Sequence, residues 1–490
     1  MWVASSVRTF NSKDDMCPVT IDYRMSRKAA VMEEADPVRK FRSQRSKSQR
    51  LYERAQKVMP SGTTRNVVFY KPFPAYADHG IGSRIYFVDG NESIDYCFNQ
   101  SSLILGHKHP KVMHAIARQL ERGTALGTPT ELEVELAEKI VKSYPAAEKV
   151  RFAGTGTEAM MNAVRVARGY KGKNKIAKFE GQFHGTHDSV YLSVSPPLDK
   201  AGPKSNPLAV PECEGMPNNL PNEAVILPFE DLEATEQIVR KSKDDLAVLI
   251  VEPLAKPRGY APMKEGFLKA LRDITEENDV LLMFDEVVTG FRLSEGGAAK
   301  VFQVGPDMVV FGKNIGGGFP VGAFGGTEET MQLFEIPEGH RPRVGASGTW
   351  NAHPLTVAAG FATLNELDSA AYERLESRGN ELRDGMNKAF ADAGVMGKVT
   401  GFSSLCNLYF TSKTITDYRS ANQSSRYVRW IFDLEMLNRG AFFALNQGWF
   451  NVSTVTSAKD VRFTVEQTKE ALNAIRPLIQ EKVPELLASR

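Results

Sequence analysis

The sequence has little cysteine, and the cysteines it has are far apart. Four occur in 490 residues, and none belongs to a Cys-x-x-Cys pair. This spacing offers neither a zinc-finger pattern nor a disulfide framework, and it is typical of proteins in a reducing compartment. We therefore expect a cytoplasmic protein that needs no disulfides; the cysteines are Cys17, Cys97, Cys213 and Cys406.

Net charge and long apolar runs are also missing. Lys and Arg total 61 against 59 Asp and Glu, which leaves a formal charge of +2. Such a chain has no long-range field to attract nucleic acid or an anionic membrane. No apolar run reaches about 18 residues, and no apolar stretch follows a basic amino terminus, so neither a spanning helix nor a secretory signal is indicated. These absences favour a small-molecule partner.

The chain does have enough material for a large core. With 490 residues, 42% of them hydrophobic, roughly three quarters of the unfolded surface can be buried, which excludes wholesale disorder. Changes in pattern divide the chain into an N-terminal extension (1–46), predicted to be mobile, and three further parts. These are a segment that packs with the small domain (47–105), a large domain (106–352) and a small α+β domain (353–490).

Apolar runs alternate with helical periods through the large domain. Runs such as AVLIVEP and VLLMFDEV are apolar throughout, as in strands covered by helices on both faces. Between the runs, apolar residues recur at helical spacing. We predict a three-layer, mostly parallel α/β sheet with strands at Val150–Ala153, Lys175–Phe179, Ala247–Glu252, Val280–Phe284 and Met308–Phe311.

One segment of the large domain contains too many prolines for a helix or a central strand. Seven lie between Pro196 and Pro221, which predicts a long loop. Loops of this length inside a compact domain are usually functional or disordered. We predict a lid near the active site.

The first chemical motif is VRFAGTGTEA, where a strand ends in a Gly/Thr turn and a helix opens. Bare backbone N–H groups, hydroxyls and a helix N-terminus together form an anion pocket. Gly154, Gly156 and Ala159 also satisfy the G-x-G-x-x-A spacing of a dinucleotide fold, with Glu180 placed as its ribose-binding acid. By itself, this motif leaves a dinucleotide, a monophosphate or a plain structural turn open.

Two further motifs place charged residues just after apolar strands. Asp285 ends VLLMFD, and burying it requires a cation or a hydrogen-bond donor. The plain structural alternative is an ion pair with Arg292 or another basic residue. Lys313 follows VVFG and precedes three glycines. A lysine shielded from solvent has a lowered pKa and becomes a nucleophilic amine. Alone, Lys313 would be an ordinary solvated side chain in a Gly-rich loop.

Together the three motifs provide the contacts that one cofactor needs. A phosphate cradle, an acid for a pyridinium nitrogen and a lysine for an aldehyde match pyridoxal 5′-phosphate (PLP). Each motif lies at the carboxyl end of a predicted strand, where open α/β sheets bind ligands. A nicotinamide-dependent oxidoreductase, the remote alternative, accounts only for the first motif.

Residues 48 to 480 resemble the class III, fold-type I aminotransferases, most closely the branch with glutamate-1-semialdehyde aminomutase and the β-phenylalanine aminotransferases. The motifs GTGTEA, QFHG, FDEV, GKNIGGGFPVGAFGG and SGTWNAHP carry this resemblance. It implies the three-layer PLP-dependent transferase fold with a smaller C-terminal domain. It also implies a homodimer with its active site at the interface.

The resemblance carries over site residues one by one. For PLP these are a phosphate loop (Thr155, Gly156, Thr157), a stacking ring with the histidine after it (Phe183, His184), the pyridinium partner (Asp285), a residue beneath the ring (Val287), the covalently bound lysine (Lys313) and two residues from the neighbouring subunit (Gly348, Thr349). Two of them depart from the usual family residue, since Thr155 replaces a serine and Phe183 a tyrosine. His184 and His187 form an HxxH pair, but no third ligand accompanies them, so we expect no metal.

The substrate residues follow from two other segments. PSGTTRNVVFYKPFP resembles the β-phenylalanine aminotransferases, which implies that Arg65 binds the substrate carboxylate. Those enzymes carry a second arginine roughly where this chain has Gln447. The aminomutases place a glutamate nearby, whereas residues Ala444–Ser453 contain no acid.

We therefore predict a PLP-dependent aminotransferase that moves an amino group from a carboxylate-bearing amine, such as an amino acid or a β-amino acid, to a keto acid. Lys313 and Asp285 are its predicted catalytic residues. The alternative is glutamate-1-semialdehyde 2,1-aminomutase, which returns the amine to its own substrate.

Overall fold

A computed structural model describes residues 35–445 and 447–488. Its longer helices are α1 (Asp36–Gln44), α2 (Ser46–Ala55), α3 (Pro110–Arg122), α4 (Glu131–Ser143), α5 (Gly156–Lys171), α6 (Leu232–Ser242), α7 (Phe267–Glu277), α8 (Pro354–Asn365), α9 (Ser369–Ala393), α10 (Arg426–Asn438) and α11 (Ala458–Lys482). Shorter helical turns include Phe98–Ser101, Gly297–Phe302, Lys313–Gly316, Glu328–Met331 and Tyr418–Ala421.

Fourteen strands of the described residues form three sheets. The strands are β1 (Ala77–Ile81), β2 (Arg84–Phe87), β3 (Glu92–Asp95), β4 (Lys149–Ala153), β5 (Lys175–Phe179), β6 (Ala224–Leu227), β7 (Leu246–Val251), β8 (Leu281–Asp285), β9 (Met308–Gly312), β10 (Gly322–Gly326), β11 (Lys398–Phe402), β12 (Leu405–Tyr409), β13 (Ala441–Phe442) and β14 (Trp449–Asn451).

The central sheet has seven strands in the order β4-β10-β9-β8-β7-β5-β6. Its strands are parallel except for β10, which runs antiparallel to both neighbours. Every residue of β7, β8 and β9 is buried, because helices cover both faces of the sheet. The predicted three-layer, mostly parallel sheet is confirmed.

The antiparallel strand β10 is rich in glycine because other backbone passes close to it. A Cβ on Gly322 would lie 2.1 Å from the carbonyl oxygen of Thr155, just before α5. Glycine at this position allows the turn after β4 to lie against the neighbouring strand. The carboxyl ends of β4 and β9 thus meet on either side of β10.

A smaller α+β part packs beside this sheet. It contains the antiparallel sheet β11-β12-β14 and the long helices α9 and α11. The N-terminal sheet β1-β2-β3 adds β13 at its edge, in parallel with β3. The N-terminal segment and the C-terminal part of the chain therefore share a sheet.

The predicted mobile extension (1–46) overlaps folded structure at its end. Residues 1–34 lie outside the described residues. Helix α1, however, buries Phe41 completely, and the Asn438 side chain of α10 donates a hydrogen bond to the carbonyl of Pro37 (2.9 Å). The folded chain thus begins before the predicted boundary. The sequence did not reveal this helix because an amphipathic helix of nine residues is too short to give a clear pattern.

The proline-rich segment is a long loop, as predicted, and it is anchored. The Arg419 guanidinium donates to the carbonyls of Ala201 and Gly202, and Tyr418 donates to that of Pro196 (2.8 Å). Lys204 pairs with Asp417 at 2.6 Å. A lid motion would have to break these contacts.

None of the described helices is long and apolar enough to cross a bilayer.

Candidate active site

The candidate site lies at the carboxyl ends of adjacent strands of the central sheet. Strand β8 ends at Asp285, and β9 leads directly into Lys313. Glu252 follows β7, the neighbour of β8 on its other side. A parallel sheet brings these three residues to one edge, although they are far apart in sequence.

Asp285 is buried and pairs with a histidine. Its Oδ2 lies 2.8 Å from Nδ1 of His184, and its Oδ1 accepts a hydrogen bond from the Val287 backbone N–H (3.1 Å). Burial lowers the pKa of His184, against the opposing effect of Asp285. Within the described part of the chain, Nε2 of His184 is buried without a partner.

Arg292, named in the structural alternative as a possible ion-pair partner of Asp285, does not contact it, and the basic residue beside Asp285 is His184. Arg292 is fully buried but donates to the carbonyl of Ser101 (2.7 Å) and to side-chain oxygens of Asn314 (3.3 Å) and Ser404 (3.2 Å). Burial lowers the pKa of Arg292 to about 10. Arg292 instead joins the N-terminal segment and the small domain to the residue after Lys313.

Lys313 has the properties of a reactive amine. It begins a short helical turn with a positive φ of 48°, a conformation that is costly for a side chain and is concentrated at functional sites. Burial lowers the pKa of Lys313, and the charges of Asp285 and Glu252 partly offset this effect. A larger fraction of its amine is therefore neutral near pH 7 than in an ordinary lysine.

The turn before α5 provides backbone and hydroxyl donors. Thr155 is the N-cap of α5, and its Oγ1 accepts the N–H of Glu158 at 3.2 Å. A Cβ on Gly156 would meet the Val287 methyl groups at 3.4 Å, so Val287 lies beside the turn. Together with the Thr157 hydroxyl, this helix N-terminus suits a phosphate group.

Phe183 is the exposed aromatic of the site. Its side chain is 49% exposed, although its neighbours Gln182 and His184 are buried. Its backbone N–H donates to Oε1 of Glu252 at 2.8 Å, which fixes the chain beside the Asp285–His184 pair. An exposed ring at this place can stack on a flat ligand.

Sequence reasoning missed Glu252 and Gln182. Glu252 is 8% exposed, and burial, aided by the nearby charge of Asp285, raises its pKa to about 7. The Gln182 carboxamide bonds to the Glu252 backbone N–H at 2.9 Å. The signal was present, because Glu252 ends an all-apolar strand in the same way as Asp285.

The residues of this site fit PLP. Glycines leave room at the helix N-terminus, the Asp285 carboxylate is buried, a ring is exposed beside it, and the Lys313 amine is uncharged more readily than usual. Glu180 is the ribose-binding acid in the dinucleotide alternative. Its carboxylate instead forms a two-point ion pair with Arg419, at 2.9 Å for both contacts.

The contacts given for three predicted residues involve neither Asp285, His184 nor Lys313. Arg65 is exposed, and its Nη1 donates to Oδ1 of Asn99 at 2.8 Å. Gly348 and Thr349 are exposed as well, and Thr349 borders a separate cleft of about 290 Å³ whose lining includes neither Lys313 nor Asp285. Among the described residues, no group of three or more His, Cys, Asp or Glu side chains could hold a metal ion.

Comparison with known proteins places the chain in a family. A family model described as aminotransferase class-III matches residues 68–432. Eight curated relatives, 38–42% identical to the chain, all carry the name glutamate-1-semialdehyde 2,1-aminomutase. The one from Ignicoccus hospitalis is 42% identical over 88% of this chain and 99% of its own length.

Solved structures of the same fold include transaminases. An omega-transaminase from Sphaerobacter thermophilus is 37% identical, covers 88% of this chain and 98% of its own, and has a TM-score of 0.84. A β-phenylalanine aminotransferase from Variovorax paradoxus is 28% identical, covers 90% of this chain and 97% of its own, and has a TM-score of 0.79.

Proposed function

Because the chain belongs to the class-III aminotransferases and PLP is its cofactor, we propose that it transfers an amino group from a carboxylate-bearing amine to a keto acid. The observation that carries the proposal is that Asp285 and Lys313 lie at the ends of the adjacent strands β8 and β9, with His184 hydrogen-bonded to Asp285. A buried carboxyl group, a hydrogen-bonded imidazole and an amine with a lowered pKa together suit proton transfer at a carbon next to nitrogen.

We assign separate roles to the residues of the site. When bound, PLP would supply an aldehyde group and a ring that accepts electrons. Lys313 would hold PLP through its amine and would carry a proton to and from the substrate carbon. Asp285, held by His184, stabilises a proton on the ring nitrogen. The turn Thr155–Thr157 binds the phosphate, while Phe183 and Val287 hold the ring between them.

Arg65 is the proposed anchor for the substrate carboxylate. Its guanidinium is exposed and can offer two parallel donors to a carboxylate. The last strand region, Ala444–Ser453, contains neither a second arginine nor an acid. A donor with one carboxylate and a less polar remainder, such as a β-amino acid, fits this set better than aspartate or glutamate.

Glutamate-1-semialdehyde 2,1-aminomutase is the second candidate, and the curated relatives favour it. All eight carry that name, at up to 42% identity. The omega-transaminase structure at 37% identity supports the first candidate, as does the missing acid near Gln447. Both reactions use Lys313 and Asp285 in the same way, so they differ only in where the amine goes.

A single incubation separates the two candidates. The PLP-loaded enzyme receives glutamate-1-semialdehyde with no acceptor, and 5-aminolevulinate is measured. An aminotransferase converts at most about one equivalent per site without a keto acid, whereas an aminomutase turns over many times. Turnover of a β-amino acid that requires added keto acid supports the first candidate.

The Lys313→Ala substitution should abolish either reaction and the borohydride-reducible bond to PLP. A reduced adduct on another lysine in the wild type would contradict the assignment of Lys313.

A further inference from the structure

An unusual turn lies between the N-terminal sheet and the site. Residues Phe98–Ser101 all have positive φ, at 43°, 48°, 58° and 67°, and none is glycine. This conformation is unfavourable for residues other than glycine, and single residues of this kind are the usual limit. Four in succession form a left-handed turn, which persists only where the surroundings hold it.

The surroundings hold this left-handed turn at both ends. Oδ1 of the buried Asp95 accepts the N–H groups of Cys97 (2.7 Å) and Phe98 (2.8 Å). At the other end, Arg292 donates to the carbonyl of Ser101 (2.7 Å). The Phe98 ring is fully buried, so the turn cannot unwind without exposing it.

The same contacts place the turn against the chain that follows Lys313. The guanidinium group that binds Ser101 also reaches Oδ1 of Asn314 (3.3 Å). A Cβ on Gly318 would meet Leu103 at 2.8 Å. The turn therefore borders the loop that carries the reactive amine.

On its exposed side the turn presents Asn99 to Arg65. Oδ1 of Asn99 accepts from Nη1 of Arg65 at 2.8 Å, and its Nδ2 donates to Oγ of Ser102 at 3.1 Å. The second bond fixes which end of the amide faces the guanidinium. Among the described residues, Asn99 is the hydrogen-bond partner of the Arg65 side chain.

We infer that Asn99, held by the left-handed turn, is a positioning residue that orients the Arg65 guanidinium toward a single substrate carboxylate; this inference rests on the proposed role of Arg65. A neutral amide acceptor occupies one N–H and leaves the positive charge and the remaining donors for the substrate. An acid at position 99 would neutralise Arg65 and compete with the substrate.

Two substitutions at Asn99 keep the backbone and change only the amide. Glycine and aspartate both tolerate positive φ, so Asn99→Gly removes the acceptor and Asn99→Asp makes it anionic. Gln100→Gly is the matched control, because it lies in the same turn with its side chain on Cys97 (3.7 Å) instead of Arg65. PLP content and melting temperature of each variant verify the fold.

Binding and kinetics are measured on the PLP-loaded enzyme. The probe is 3-phenylpropanoate, a monocarboxylate without an amine, and its amide is the uncharged control ligand. For the carboxylate, we expect Kd to rise about fivefold in Asn99→Gly and more than about tenfold in Asn99→Asp. The amide should bind all variants with the same Kd, and Gln100→Gly should have the wild-type Kd for the carboxylate. With carboxylate donors, KM of the two Asn99 variants should rise, while their kcat should stay within about twofold of the wild-type value.

Arg65→Ala, measured in parallel, separates this inference from the proposed function. If Arg65→Ala weakens the carboxylate and the amide equally, Arg65 is no anchor, and both claims fall. If Arg65→Ala is selective for the carboxylate while both Asn99 variants match Gln100→Gly, only the positioning role of Asn99 is overturned.

Discussion

At the residue scale, an acid at the end of an apolar strand proved to be a chemical signal. Asp285 and Glu252 both follow such strands, and both are nearly buried. Asp285 is paired with His184, whereas Glu252 accepts a backbone N–H from Phe183. The two carboxylates therefore differ in their contacts, which are an imidazole for Asp285 and a backbone N–H for Glu252.

The raised pKa of Glu252 gives a prediction about stability and pH. Burial raises this pKa from 4.5 to about 7, so between these values the folded chain holds a proton that the unfolded chain has lost. Its contribution to stability is full below about pH 4.5 and is lost as the pH rises through 7. Glu252→Gln should remove this dependence while keeping an acceptor for the Phe183 N–H.

The measurement is the urea midpoint of the cofactor-free protein at pH 5, 6 and 7. Relative to the variant, the wild type should lose stability as pH rises through this range. The exposed Glu338→Gln serves as the control, and its midpoint should follow the wild type at each pH. A constant difference between wild type and Glu252→Gln would mean that Glu252 is already ionised at pH 5.

At the element scale, the sequence predicted five of the seven strands of the central sheet, and it did not predict β6 or β10. The five predicted strands match β4, β5, β7, β8 and β9 within one or two residues. Strand β10 has the sequence GAFGG, which has low strand propensity. It exists because the close approach of the Thr155 turn requires small residues, and only the assembled sheet creates that requirement.

The proline-rich loop gives a prediction at this scale. Arg419 pairs with Glu180 and binds the carbonyls of residues 201 to 203. Arg419→Met leaves the buried Glu180 unpaired, at a cost of about 3 kcal/mol. The loop should open more often, so trypsin should cut after Lys200 or Lys204 at least about tenfold faster.

Limited proteolysis followed by mass spectrometry identifies these cuts. The control is Arg240→Met, because Arg240 lies in an exposed pair with Glu236 on α6 and should leave the cleavage rate unchanged. Equal cleavage of wild type and Arg419→Met would show that other contacts, such as Lys204 with Asp417, suffice to hold the loop.

At the scale of the whole molecule, one chain does not bring together every predicted cofactor contact. Thr349 borders a cleft whose lining includes residues 125–130 and 351–354 but not Lys313. Its neighbour Trp350 is 61% exposed, and an exposed tryptophan is typical of a surface that pairs with another molecule. We therefore propose a homodimer in which each Thr349 completes the partner's phosphate site.

Mixed dimers test this arrangement. Lys313→Ala and Thr349→Arg should each be nearly inactive as separate proteins. Unfolded together and refolded as an equal mixture, half of the dimers should be mixed, and each mixed dimer should contain one intact site. The mixture should regain about a quarter of wild-type activity. Full activity of Thr349→Arg alone, or no recovery on mixing, would contradict a shared site.

The sequence by itself determined the fold class and the cofactor, and it singled out Lys313 and Asp285 as candidate site residues. It could do so because these features depend on local patterns, namely apolar runs and the polar residues that end them. Contacts between distant segments were decided only by the tertiary structure. Asp285 faces His184 instead of Arg292, and Asn99 faces Arg65 across 34 positions. No local pattern encodes such pairs, because strand order and loop packing set which side chains meet.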